Sequence, residues 1–207
     1  MAASKRSGPG SSKPRAAAAE LETLPFRDRR AWAGWLASSH ASSRGVWMVL
    51  AKKGAGIASI TYEEAIEVAL AWGWIDGQKK GLDASFWLQK FTPRGPRSIW
   101  SAINRDKALA LIAAGEMKPA GLEQVERARG DGRWDAAYAG QARATVQPDL
   151  EAALAARPRA RAFFATLDAS NRYAVLHRVM TAVRPETRAR RIERLVAMLA
   201  RREKLHP

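Results

Sequence analysis

From Phe26 onward, apolar and polar positions recur at spacings that define elements. Trp32, Trp35 and Leu36 share one face of a helix expected over Arg29–Ser39, with Asp28 as its cap. After Gly45, the unbroken apolar run VWMVLA predicts a buried strand ending at Ala51. Thr61-Tyr62-Glu63-Glu64 fits a capping box. The helix it starts places Tyr62, Ala65, Ile66, Ala69 and Leu70 on one side, and Gly73 ends it. WGWID then reads as a short strand, Asp76-Gly77 as a turn, and Ser85–Thr92 as the partner strand, closed by Pro93 and Pro96. Ser101 can cap a helix from Ala102 to Ala114.

Beyond Glu116 every pattern is helical. Pro119, Pro148, Pro158 and Pro185 suit first helical turns, and Asp168 suits a cap. Ala160, Phe163, Phe164 and Leu167 form one apolar stripe. Tyr173, Leu176, Met180 and Val183 form a second, and Ile192, Leu195, Val196 and Leu199 a third. The expected fold is therefore α+β. A small, mostly antiparallel sheet of about three strands is backed by helices and followed by an all-helical C-terminal half. Three segments are expected: a disordered basic tail over 1–24, an α+β domain with a Trp-rich hairpin over 25–115, and a helical domain over 116–207.

Composition narrows the chemistry. The chain has no cysteine, which excludes disulfides, thiolate catalysis and Cys-ligated metal. Its three histidines, His40, His177 and His206, are far apart in sequence, so no metal site is expected, and no motif calls for a cofactor. No GxSxG elbow or glycine-rich phosphate loop is present. No apolar run is long enough for a membrane span and no secretory leader is evident, so a cytoplasmic location is expected. The net charge is +15, spread over all segments. A diffuse surplus of this kind attracts polyanions weakly, and weak nucleic-acid binding is one expected consequence. The Arg- and Ala-rich usage of GC-rich coding accounts for the same surplus. The arginines between Arg184 and Arg202 can dock on nucleic acid, or form a solvated face salt-bridged to Glu186, Glu193 and Glu203.

One stretch, Leu70–Asn104, concentrates costly residues, including four of the eight tryptophans. Its candidate ligand-binding residues are Trp74, Asp76, Lys80, Arg94, Ser98, Trp100 and Asn104. A carboxylate between indoles and cations is suited to proton transfer or ligand orientation, although turn chemistry alone accounts for Asp76-Gly77. Trp72, Trp74, Trp87 and Trp100 can wall a pocket, stack on bases, or simply fill a core. Thr92–Ser98, with two arginines ahead of a helix start, can hold a phosphate or carboxylate, or be a rigid connection. The expected role is binding of an anionic ligand or acidic partner. The alternative is an enzyme acting on a small acidic or phosphorylated substrate, with Asp76 as acid/base and Arg94 as anion clamp.

WGWIDG, FTPRGPRSIWSAIN, GEMKPAGLEQVERARGDGRWDAAY, PDLEAAL and ETRARRIERLV, in that order, resemble the YdeI/OmpD-associated (OmdA) family, labelled bacteriocin-protection. The resemblance spans about Phe26 to Leu199. It implies a small cytoplasmic bacterial protein linked to survival under bacteriocin or antimicrobial-peptide stress, and it brings no reaction, cofactor or catalytic residue with it. A chain of charge +15 repels cationic peptides at close range, so charge does not favour direct capture of such peptides. An indirect route through an anionic ligand, nucleic acid or acidic protein fits better.

Overall fold

The computed structural model describes residues 20–207. The element order is β1 (Thr23–Pro25), α1 (Arg29–Ser39), β2 (Val46–Ala51), α2 (Tyr62–Ala71), β3 (Trp74–Gly81), β4 (Phe86–Pro93), α3 (Ala102–Ala113) and α4 (Pro119–Gly130). A short 3-10 turn at Gln141–Arg143 then leads to α5 (Pro148–Ala155), α6 (Pro158–Ala165), α7 (Ala169–Met180) and α8 (Pro185–Ala200). The α+β class holds, with two corrections to the sheet. It has four strands in the order β1-β2-β4-β3, not three, and β1 runs parallel to β2 while the other pairs are antiparallel. Thr23 and Leu24 pair with Trp47 and Met48, so the ordered chain begins before the boundary expected at 24/25. Residues 1–19 of the tail expected over 1–24 lie outside the described residues.

Local chemistry sets the helix starts. The Asp28 carboxylate accepts the Ala31 N–H at 2.9 Å, and Thr61 and Glu64 form the reciprocal capping box. Ser101 and Asp168 cap α3 and α7 through the amides of Asn104 and Asn171.

The Asp76-Gly77 pair does not turn the chain. β3 continues to Gly81, with a register irregularity between Asp76 and Lys79. Buried Gln89 holds that irregularity, its amide donating to the Gly77 carbonyl at 2.9 Å and the Gln78 carbonyl at 3.3 Å. The reversal falls later, where Asp83 Oδ1 accepts the N–H groups of Ser85 and Phe86 at 2.7 and 2.8 Å.

Two cores result. The first packs α1–α4 on one face of the sheet, through Trp32, Leu36, Ile66, Ala108, Leu111 and Val125 against Val46, Met48, Leu50 and Phe91. The second joins Leu150, Leu154, Phe164, Val175, Leu176, Ile192, Leu195 and Leu199 from α5–α8. α4, grouped with the C-terminal half by its periodicity, places Val125 and Ala128 in the first core. Its N-terminus is fastened to the end of α2 by the Lys118 N–H to the Ala71 carbonyl at 3.0 Å. Among the described residues, no helix is long and apolar enough to cross a membrane.

In the second core, Arg188 ties α8 to Asp149 on α5, its Nη2 lying 2.8 Å from Oδ1. The hydrogen bonds from Arg188 hold the Asp149 carboxyl below its ordinary 3.8. A depressed folded pKa contributes stability that is present above the ordinary value and is lost as pH falls through the lower one. Asp149→Asn is therefore expected to lower the midpoint at pH 7 by about 1–3 °C, the pair being partly exposed. The gap to wild type should close below about pH 3.8. Thermal scans across pH check this; a gap that persists at acid pH would mean the ion pair is not its source.

Candidate functional site

The strand that carries Trp74 turns alternate side chains to the helical side, and this places Asp76 against α2. There the Tyr62 hydroxyl donates to Asp76 Oδ2 at 2.7 Å. Burial first, then the hydrogen bond and charge of Asp76, push the Tyr62 phenol well above the usual tyrosine range, so it stays a donor.

One residue beyond β4, the Arg94 N–H bonds the Gly73 carbonyl at 2.9 Å, turning the side chain inward. The guanidinium lies flat over the Trp100 ring, 3.6 Å from its centroid, and the residue is 5% exposed. Nη1 donates to the Ile99 carbonyl at 3.3 Å. Nε and Nη2 are buried with no acceptor among the described residues, and the same holds for the Trp100 indole N–H. Burial pulls the Arg94 pKa down to about 10 against the opposing pull of Asp76, so the group remains charged at neutral pH. No direct ion pair joins it to Asp76.

The far wall comes from outside the hairpin. Tyr138 forms an isolated bridge with Ser101, its N–H donating to the Trp100 carbonyl at 3.0 Å and its carbonyl accepting the Ala102 N–H at 2.8 Å. Burial raises its phenol pKa, with the nearby Tyr173 and Asp76 adding to the rise and Arg94 opposing it. Trp134 meets Trp100 edge-on at 4.9 Å. The segment Gly95–Ile99, which follows Arg94, is fixed by two contacts. The Ser98 hydroxyl accepts the Gly95 N–H at 3.0 Å, and Arg133 Nη1 donates to the Ser98 carbonyl at 2.6 Å. This cluster sits where the two cores meet, because the Tyr138 ring also packs edge-on against His177 of α7 at 4.8 Å.

The residues singled out in sequence thus separate. Asp76, Arg94 and Trp100 come together, and Ser98 closes the segment over them. Trp74 does not join them. It is 1% exposed in the first core, meets Trp32 and Trp35 edge-on, and spends its indole N–H on the His40 carbonyl. Lys80 is on the other face of the sheet, over Trp47. Asn104 is buried in the first turn of α3. Periodicity missed Tyr62, which read as a core position, and Tyr138 and Arg133, which lie near a short helical turn with no site-like motif. The one available signal was the polar end on each of these otherwise packed side chains. In α8, Arg188 and Arg191 are spent on Asp149 and on the carbonyls of Val179 and Arg178, so the arginine series is in part structural. Among the described residues, no His, Asp and Glu side chains gather as a metal site would require.

No curated protein and no solved structure matches the chain. Two family matches divide it. Residues 24–124, which hold the sheet, the Trp-rich hairpin and Arg94, match "Domain of unknown function (DUF8412)". Residues 143–202 match "Bacteriocin-protection, YdeI or OmpD-Associated", so WGWIDG and FTPRGPRSIWSAIN lie outside the OmdA match while PDLEAAL and ETRARRIERLV lie inside it. The second core, α5 to α8, thus lies within the stretch that is similar to the OmdA family, and the buried arginine lies within the other match.

Proposed function

We propose that this is a bacteriocin-protection-like stress protein of the cytoplasm that binds a small anionic ligand, or the acidic side chain of a partner, on Arg94. The observation that carries the reading is a charged guanidinium, 5% exposed, with two donor nitrogens, Nε and Nη2, that meet no acceptor among the described residues. A buried donor left unmatched costs about 1–3 kcal/mol, and more when charged. A carboxylate or phosphate would remove that cost through the parallel N–H geometry of arginine. Trp100 supplies a flat surface for the guanidinium, and Tyr62 and Tyr138 lie nearby through Asp76. Entry requires Gly95–Ile99 to lift, which breaks the Arg133–Ser98 contact. An enzymatic use of Asp76 is less favoured, because its Oδ2 is already committed to the Tyr62 hydroxyl.

The test is Arg94→Met. Replacing a buried charge by an apolar chain of similar length is often neutral or stabilising. The variant is expected to fold with an unchanged midpoint or one raised by up to about 4 °C. It should lose every thermal shift that phosphate, sulfate, citrate or acidic dipeptides produce in wild type. Arg94→Lys keeps the charge and loses the fork, and should retain only a fraction of the shift. If no anion shifts wild type and Arg94→Met is destabilised by several degrees, Arg94 is a structural staple and the proposal fails.

A further inference from the structure

The helices α1–α4 cover one face of the sheet, and the register identifies the residues on the other. Trp47 pairs with Thr23 and Lys90, Val49 with Pro25 and Leu88, Ala51 with Phe86, and Leu88 with Lys80. Directly paired residues share a face. None of Trp47, Val49, Phe86 or Leu88 belongs to either core cluster; Leu88 is buried beneath its neighbours, whereas Trp47, Val49 and Phe86 are only half-buried. The Lys80 ammonium sits 4.3 Å from the centroid of the Trp47 ring, and that of Lys90 lies 6.0 Å away. The four strands contain one carboxylate, Asp76, and it points to Tyr62 on the helical side. The open face therefore combines an indole with two ammonium groups and presents no strand carboxylate to oppose them.

We infer that this face is a docking surface for single-stranded nucleic acid, with Trp47 stacking on a base and Lys80 and Lys90 meeting the flanking phosphates. Charge complementarity selects the occupant: the charged strand residues on this face, Lys80 and Lys90, are both positive, on a chain of pI about 11.0. The indole selects the single strand, because a duplex hides the base faces on which an aromatic ring stacks. A lysine lying on the ring is compatible with this role, since its flexible stem lets the ammonium move from the indole to a phosphate. The six residues of β2 span about 20 Å, enough for about two or three bases on a four-stranded sheet. The surface is separate from the Arg94 cluster, so either reading can fail alone.

The experiment uses the full chain and a fluorescent oligothymidylate, with affinity read by anisotropy over a salt series. Wild type is expected to bind the single strand more tightly than a duplex of equal length. Trp47→Ala should weaken single-strand binding about tenfold and Trp47→Phe much less, because phenylalanine keeps a ring on which a base can stack. Lys80→Gln should reduce the slope of log affinity against log salt by about 0.7. Arg190→Gln, which removes an exposed charge from α8, should leave that slope nearer wild type. Far-UV circular dichroism confirms that each variant is folded, and Trp47→Leu, which keeps apolar bulk without a stacking ring, carries the test if Trp47→Ala is not. Three outcomes overturn the inference: the duplex or polyglutamate competes as well as the single strand, Arg190→Gln matches Lys80→Gln, or a folded Trp47→Ala or Trp47→Leu binds like wild type.

Discussion

Gly121→Ala is expected to destabilise the first core by roughly 2–3 kcal/mol, a loss of about 4–12 °C in thermal midpoint. In an open helix the same exchange would help, because alanine is favoured over glycine by about 1 kcal/mol. Here a Cβ would land on the Ala71 carbonyl oxygen at the end of α2, and within 2.5 Å of Met117 Sδ. The thioether can move, but the carbonyl cannot, since it accepts the Lys118 N–H that fastens α4 to α2. Gly73 repeats the restriction from the other side. It adopts φ of +73°, and a Cβ there would stand 2.6 Å from the Ala120 carbonyl oxygen. The control is Gly34→Ala in α1, where nothing lies within 4 Å of the added carbon, and the midpoint should hold or rise. Paired thermal melts decide. Equal behaviour of the two variants would show that α4 can slide away from α2 without penalty.

Trp74→Ala is expected to cost about 3–5 kcal/mol, the range for a buried aromatic truncated to alanine. It removes an indole that meets Trp32 at 6.1 Å and Trp35 at 5.6 Å, and it leaves the His40 carbonyl without its 3.2 Å donor. Trp74→Phe keeps most of the ring contact and should cost less than half as much. Urea midpoints at unchanged slope measure both. A loss under about 1 kcal/mol would place Trp74 outside the packed interior. The consequence for function is practical: an alanine at this position tests folding and not ligand binding, and that task belongs to Arg94.

Sequence reasoning recovers what is local. The starts of α1, α2, α3 and α7 follow from Asp28, Thr61, Ser101 and Asp168, because a side-chain cap acts within three residues of itself. It fails where a partner distant in sequence decides. β1 is three residues long and contains a proline, and it exists because Val46–Ala51 offers it an edge. Asp76-Gly77 carries a strong turn signature, but Gln89 supplies donors for the carbonyls of Gly77 and Gln78, so the strand can run on. The site divides in the same way. Asp76, Arg94 and Trp100 are legible because costly residues crowd one stretch. Tyr62, Tyr138 and Arg133 reach it from other parts of the fold, and spacing along the chain carries no trace of that. Trp74 and Trp100 have the same sequence signature, and only burial and hydrogen bonding tell them apart.

The strand order leaves β1 and β3 outermost. One margin is a three-residue stub ending in Pro25; the other is bent at Asp76–Lys79 and studded with Lys79 and Lys80. Neither offers a long flat ladder of free amides to a second copy, so fibril growth from the folded state has no seam from which to start. Assemblies of this protein are therefore expected to rest on side-chain contacts more than on backbone addition at either rim.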